Sequence, residues 1–71
     1  MGKSTLYEIV VLWHPDPNND DEMKTKKSKV IIEPRYELAN DEKSLLYRVS
    51  REIDEKYVEQ MNQIEIIIRP F

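Results

Sequence analysis

Residues 5–13 read Thr-Leu-Tyr-Glu-Ile-Val-Val-Leu-Trp, and this stretch decides the fold. It is rich in β-branched and aromatic residues and holds no glycine or proline, which is typical of a β-strand. One face of the strand would carry Tyr7, Ile9, Val11 and Trp13, and the other Leu6, Val10 and Leu12, interrupted by Glu8. Because both faces are mostly apolar, the pattern predicts a strand in the middle of a sheet.

Two further stretches have the alternation of strands. In residues 29–39 apolar and charged side chains alternate, and Pro34 cannot donate a ladder hydrogen bond, so this strand should be bent there or lie at an edge. Residues 63–69 alternate again, with isoleucines at every second position of one face, namely Ile64, Ile66 and Ile68. The sequence therefore predicts three strands.

Helical spacing fills the interval between the second and third strands. Asn40 and Asp41 supply a cap for a helix predicted over 41–53, with an apolar stripe made of Leu45, Leu46, Val49 and Ile53. Asp54 caps a short helical turn predicted over 55–61, which would add Tyr57 and Met61 to the core.

The element order is thus β-β-α-β, and the predicted fold class is α+β. We expect a single domain over residues 1–71, with a three-stranded, mostly antiparallel sheet and one main helix on one face. Residues 14–28 contain two prolines, two asparagines and an acidic run followed by lysines. They are predicted to form a long, exposed and mobile hairpin loop.

One helix can cover only one face of such a sheet. The covered face should combine Ile9, Val11, Ile32, Leu38, Ile64, Ile66 and Ile68. The other face keeps Leu6, Val10, Leu12, Ile31, Ile67 and Phe71, mixed with Glu8, Glu33, Glu65, Arg35 and Arg69. An exposed apolar patch normally marks an interface, so the sequence predicts a homo-oligomer, a dimer or a tetramer. The alternative is a monomer in which the polar residues of that face suffice.

Composition narrows the function. The chain has 71 residues, no cysteine and a formal net charge of −3. A negative chain is poorly suited to a nucleic-acid polymer, although a few local arginines can hold a small anion. The longest apolar stretches have four or five residues against the roughly 20 of a membrane span, so no membrane association is expected. We expect an intracellular protein without a cofactor.

Catalytic and metal motifs are weak. The one histidine, His14, has no cysteine to activate and no serine at a recognisable spacing, so we expect no enzyme. The run from Asp16 to Glu22 imitates the start of a calcium loop, but Asp21 stands where glycine is needed and Lys27 where a bidentate glutamate should be. We therefore expect no metal site.

The arginines and aromatic residues are more informative. Arg48 and Arg51 share one face of the predicted helix, and Arg69 and Phe71 follow the last strand. Arginine forks bind phosphate and aromatic rings stack on bases, so these residue types suit a nucleotide pocket at a subunit seam. The alternative is that the arginines pair with carboxylates: Arg48 and Arg51 with Glu52, Asp54 or Glu55, and Arg35 and Arg69 with Glu8, Glu33 or Glu65. Trp13 and Tyr36 would then belong to the core.

Most of the chain outside the long loop also resembles a family of very small proteins of tailed bacteriophages. The matching segments are Leu-Tyr-Glu-Ile-Val-Val-Leu at 6–12, Glu-Pro at 33–34, Leu-Ala-Asn-Asp-Glu-Lys at 38–43, Arg-Glu-Ile at 51–53, and the stretch 64–71 that ends in Arg-Pro-Phe. The family is similar to the anti-CBASS sponge proteins. The resemblance implies a homo-oligomeric, non-enzymatic protein that sequesters a cyclic dinucleotide, such as cyclic GMP-AMP, in the host bacterial cytoplasm.

The resemblance implies that Arg51, Arg69 and Phe71 bind the ligand, and chemistry alone adds Arg48, Tyr36 and Trp13. The arginines would pair with phosphates and the aromatic rings would stack on bases. The competing reading is a phage host-takeover protein that inhibits a bacterial protein through the long loop or a sheet edge. A structural role in the virion is a third, weaker option.

Overall fold

A computed structural model describes residues 4–71, so residues 1–3 of the predicted domain lie outside the described part. The chain forms six elements, which are β1 (Thr5–Trp13), α1 (Asp20–Thr25), β2 (Lys29–Ala39), α2 (Glu42–Ser50), a 3₁₀ helix (Glu55–Gln63) and β3 (Ile64–Pro70). The strands make one antiparallel sheet in the order β2-β1-β3. The α+β class, the central position of β1 and the edge position of β2 are confirmed.

Helix α2 and the 3₁₀ helix begin at the predicted capping residues. The Asp41 carboxylate accepts a hydrogen bond from the Ser44 backbone N–H at 2.7 Å, and this bond holds the pKa of Asp41 below its ordinary value. Asp54 caps the 3₁₀ helix through the Lys56 N–H at 3.0 Å. Helix α2 ends at Ser50, three residues before the predicted end, and the 3₁₀ helix continues to Gln63.

The core lies between β1 and the helices. Its buried side chains are Tyr7, Ile9, Val11, Trp13, Ala39, Leu45, Val49 and Tyr57. The third strand is in simple register with the first, and Ile64, Ile66 and Ile68 pack against this core as predicted. Two residues of the predicted helical stripes are instead largely exposed, Leu46 at 45% and Met61 at 42%.

Strand β2 departs from the predicted faces because its pairing with β1 shifts twice. Arg35 lies opposite Ile9, whereas Ile32 lies opposite Val11, so β2 carries one extra residue between these pairs. An extra residue reverses which side chains face the helices. The prediction for Leu38 is therefore wrong, since it lies opposite Leu6 on the uncovered side and is 61% exposed.

The same shifts correct two other assignments. Arg35, predicted on the uncovered face, shares the helix side with Ile9. Ile31, also predicted there, packs against the core, because a second shift leaves it between the pairs of Ile32 with Val11 and of Val30 with Leu12. Strict alternation cannot predict either position across a bulge.

Residues 14–28 are mostly exposed, and they contain a short helix, α1, that the sequence did not predict. The Asn19 side chain caps α1, and Glu22 anchors that helix, since its carboxylate accepts from the Asp16 N–H at 3.0 Å and from the Gln63 amide at 2.7 Å. The Gln63 amide also donates to the His14 carbonyl at 2.9 Å. Gln63 therefore ties the segment to the end of the sheet. No helix in the range 4–71 is long and apolar enough to cross a membrane.

Candidate functional site

Within residues 4–71, no helix packs on one face of the sheet, which we call the open face. Its side chains are Leu6, Glu8, Val10 and Leu12 of β1, Val30, Tyr36 and Leu38 of β2, Glu65, Ile67 and Arg69 of β3, and Phe71. Most are apolar, and those of β2 are largely exposed. The other side of the sheet, the helix side, carries the core.

Three of the six predicted ligand residues, Tyr36, Arg69 and Phe71, meet on the open face beside Glu8. We call these four residues the aromatic–arginine cluster. Glu8 lies opposite Tyr36 on one side and Arg69 on the other, so the ladder register itself assembles the group. The Tyr36 and Phe71 rings pack edge to face with centroids 5.1 Å apart. Tyr36 is 53% and Phe71 81% exposed, so both present aromatic surface to a ligand or partner.

Glu8 shows how this cluster handles negative charge. The Arg69 guanidinium donates to one carboxylate oxygen, and the Tyr36 hydroxyl reaches the other at 3.4 Å. A carboxylate here stands where an oxygen of a phosphate could be bound by the same two donors. The cross-strand pairing of Arg69 with Glu8, predicted as the structural alternative, is confirmed.

Arg48 and Arg51 lie on the helix side, away from this cluster. Arg48 donates to Glu37 at 3.0 Å, and Arg35 bridges Glu37 and Glu52. The hydrogen bond between Arg35 and Glu52 raises the pKa of the arginine and lowers that of the carboxyl. Arg48 therefore pairs with a carboxylate as the alternative predicted, although with a different partner.

Arg51 and Trp13 occupy two further places. The Arg51 guanidinium lies 5.8 Å from the ring centroid of Tyr47, on the surface of the helix region. Trp13 is only 4% exposed, and its indole N–H donates to Gln60 at 2.8 Å. A ring so deeply buried offers no face for a base to stack on in this structure. Of the six predicted residues, Tyr36, Arg69 and Phe71 therefore share the open face, whereas Arg48, Arg51 and Trp13 lie elsewhere.

The structure also forms a groove that the sequence did not predict. This lysine groove lies on the helix side of the sheet, beside Trp13 at the end of β1. Lys26, Lys27, Lys29 and Lys56 line it together with Trp13, Tyr57 and Gln60, around a volume of about 540 Å³. The run of lysines after α1 was a signal for it, but Lys56 comes from the 3₁₀ helix and only the fold brings it there.

A third group joins the ends of the strands. The His14 ring contacts the Ser28 hydroxyl through Nδ1 at 2.6 Å and the Glu65 carboxylate through Nε2 at 2.7 Å. Ser28, His14 and Glu65 therefore form a hydrogen-bonded chain of the kind that activates a serine nucleophile. The side chains of His14 and Glu65 are 39% and 52% exposed, so the three hydrogen-bonded residues are open to solvent. We interpret it as a link between β1, β2 and β3.

No family model, no curated protein and no solved structure matches this chain. The resemblance to phage sponge proteins therefore stays a prediction.

Proposed function

We propose that this chain is a non-enzymatic binding protein that associates with copies of itself through the open face and sequesters a cyclic dinucleotide, such as cyclic GMP-AMP, at the resulting seam. Its place of action would be the cytoplasm of a bacterial host. The observation that carries the proposal is the position of the aromatic–arginine cluster on a mostly apolar sheet face that no helix covers.

The shape of the chain supports self-association. Its accessible surface is 5560 Å² for a mass of 8.5 kDa, whereas a compact monomer of this mass exposes about 4,700 Å². Its radius of gyration is 14.1 Å, against about 11 Å for a compact domain of this length. The chain is therefore more extended than a compact monomer of its mass, and self-association would bury part of its surplus surface of about 900 Å².

Charge on the open face also suits a second copy. Glu8 and Glu65 alternate with Arg69 among the apolar residues, so a two-fold axis can place the acidic residues of one subunit near the arginine of the other. Burial of the apolar residues would add several kcal/mol at about 25 cal/mol per Å². Residues 4–71 hold eight buried hydrophobic residues, and so small a core gains much from that addition.

The ligand matches a two-fold seam. A cyclic dinucleotide has two phosphates and two bases, and two copies of the cluster would supply two Arg69 guanidiniums and two Tyr36–Phe71 ring pairs. Each phosphate would replace the Glu8 carboxylate on Arg69, and each base would stack on the exposed rings. Holding the ligand this way makes and breaks no covalent bond, so sequestration alone is expected.

Calorimetric titration with cyclic GMP-AMP tests the proposal. We expect binding by the unmodified chain, and release of intact ligand after heat denaturation. Arg69→Ala should weaken binding about tenfold or more, as expected for a charged hydrogen bond. Lys43→Ala, which removes an exposed cation of α2 outside the cluster, is the control and should bind normally. Absence of binding by the unmodified chain, or equal loss in both variants, would refute the proposal.

A second candidate function, inhibition of a bacterial protein, is favoured by the same apolar surface. In that case the open face would cover a patch on the host protein instead of a second copy. A stoichiometric host partner that binds the unmodified chain, fails to bind Leu38→Glu and is indifferent to cyclic dinucleotides would support it. Binding of cyclic GMP-AMP at the seam would favour sequestration.

A further inference from the structure

We infer that the lysine groove is a second anion site, built for the polyphosphate group of a small molecule. Two segments supply its four lysines: Lys26 and Lys27 follow α1 and Lys29 begins β2, whereas Lys56 lies on the 3₁₀ helix. None of them takes part in an ion pair within residues 4–71. In a chain of net charge −3, this gathers about a third of the basic residues in one place.

Two buried rings organise the ammonium groups. Lys29 lies 5.2 Å from the Trp13 ring centroid and 5.7 Å from that of Tyr57. Lys26 lies 5.9 Å from the Trp13 ring, and Lys56 lies 5.2 Å from the Tyr57 ring. Cations that share a ring repel each other, and a bound anion would relieve that repulsion. The groove is therefore charged but without a counter-charge of its own.

The burial of the rings selects the class of ligand. Trp13 and Tyr57 are 4% and 8% exposed, so neither ring is free to stack on a base. Lysine ammoniums act as point charges and do not require the two-pronged geometry that arginine reads. The groove should therefore respond to the density of negative charge and be indifferent to the base. A chain of phosphates, free or at the 5′ end of a nucleotide, fits this description.

The size and position of the groove favour a small molecule over a polymer. Its volume of about 540 Å³ lies within the usual range of small-molecule sites. The overall negative charge disfavours a long polyanion that would extend beyond the groove. The groove lies on the helix side, whereas the proposed dinucleotide seam lies on the open face. The two sites can therefore be tested independently.

Trp13 is the only tryptophan in the sequence and lines the groove, so its fluorescence reports on ligands there. We would titrate the full chain with inorganic tripolyphosphate, adenosine triphosphate, inorganic phosphate and a single-stranded oligonucleotide. Tripolyphosphate and adenosine triphosphate should bind with similar affinity, both more tightly than phosphate, and both more weakly as salt rises. Cyclic GMP-AMP should not compete with tripolyphosphate.

The variants Lys29→Gln and Lys56→Gln should each weaken tripolyphosphate binding about threefold to fivefold, as expected for partly exposed ion pairs. Lys24→Gln is the matched control, because Lys24 lies on α1 outside the groove lining and should leave binding unchanged. Circular dichroism of all three checks the fold, and two variants on different elements guard against one that misfolds.

Three results would overturn the inference. The first is no binding of tripolyphosphate. The second is equal weakening by Lys24→Gln, which would indicate non-specific attraction. The third is tighter binding of the oligonucleotide than of tripolyphosphate, which would indicate a polymer surface. Because cyclic GMP-AMP binding is measured at the other site, failure of either proposal leaves the other intact.

Discussion

Arg69 of β3 donates to the carboxylate of Glu8 on β1, directly across the ladder on the open face of the sheet. The pair lies at the surface, and the arginine side chain is 67% exposed. Exposed ion pairs of this kind contribute at most about 1 kcal/mol to stability. Arg69 is therefore held in position at little cost and can exchange its partner for another anion.

Glu8→Gln tests this exchange. Removing the carboxylate charge should leave the ladder intact and tighten binding of cyclic GMP-AMP severalfold, because the phosphate no longer competes with Glu8 for Arg69. Calorimetric titration at fixed salt measures the change. Glu65→Gln is the matched control, since Glu65 shares the face but contacts His14 instead. Unchanged or weaker binding by Glu8→Gln would contradict a phosphate on Arg69.

Self-association through the open face predicts that a charge placed there yields a monomer. Leu38→Glu should halve the mass of a dimer measured by light scattering, because two charges would be buried without partners. Val58→Glu is the control, since Val58 is 62% exposed against 61% for Leu38 but lies on the 3₁₀ helix. A lone subunit in the unmodified chain would refute the interface itself.

Two neighbouring leucines of α2 should differ sharply in their effect on stability. Leu45 is fully buried and Leu46 is 45% exposed. Leu45→Ala should lower the free energy of unfolding by about 2–5 kcal/mol, and Leu46→Ala by under about 1 kcal/mol. Urea denaturation followed by circular dichroism measures both. Similar losses would mean that the helix packs through a different face.

The Arg35–Glu52 pair predicts a pH dependence. Its hydrogen bond holds the pKa of Glu52 below the ordinary value, so the folded state binds fewer protons there than the unfolded state. The resulting stability is fully present above the pKa of the unfolded state and is lost as pH falls through the lowered value. Glu52→Gln should therefore be less stable than the unmodified chain at about pH 7 and equally stable near pH 2. A difference that persists in acid would indicate packing rather than charge.

The chain of Ser28, His14 and Glu65 allows a direct test of the non-enzymatic proposal. A fluorophosphonate labels serines that are activated as nucleophiles. We expect no labelling of Ser28 in an intact-mass measurement, because the hydrogen-bonded residues Ser28, His14 and Glu65 lie on the surface and not in a closed site. A stoichiometric adduct that disappears in His14→Ala would show an activated serine and contradict the proposal.

The regular part of the fold was predictable because periodicity carries it. β1 and β3 keep strict alternation, and in α2 Leu45 and Val49 fall under the sheet as their spacing of four predicts. Helix α1 was not predictable from apolar spacing, since none of its six residues is buried and it depends on the Asn19 cap. The faces of β2 failed for a different reason, because bulges are set by pairing with β1 and leave no periodic signal.

Of the candidate sites, one part could be predicted from the sequence and another could not. The pairing of Arg69 with Glu8 could be anticipated because both positions fall on one face of neighbouring strands. The lysine groove could not, because Lys56 is distant in sequence from Lys26 to Lys29 and meets them only when the 3₁₀ helix packs against the sheet. Trp13 was considered both as a stacking ring and as a core residue. Its burial fits the core reading, and its ring lies beneath the lysine ammonium groups.

The two register shifts of β2 have a consequence for solubility. β2 is an edge strand of eleven residues. The unpaired backbone groups of such a strand can pair with the edge strand of another copy, which can lead to open-ended aggregation. Pro34 and the shifts beside it break the regular row of backbone groups that such growth needs. Copies of this chain should therefore form oligomers with a fixed number of subunits and resist conversion to fibrils.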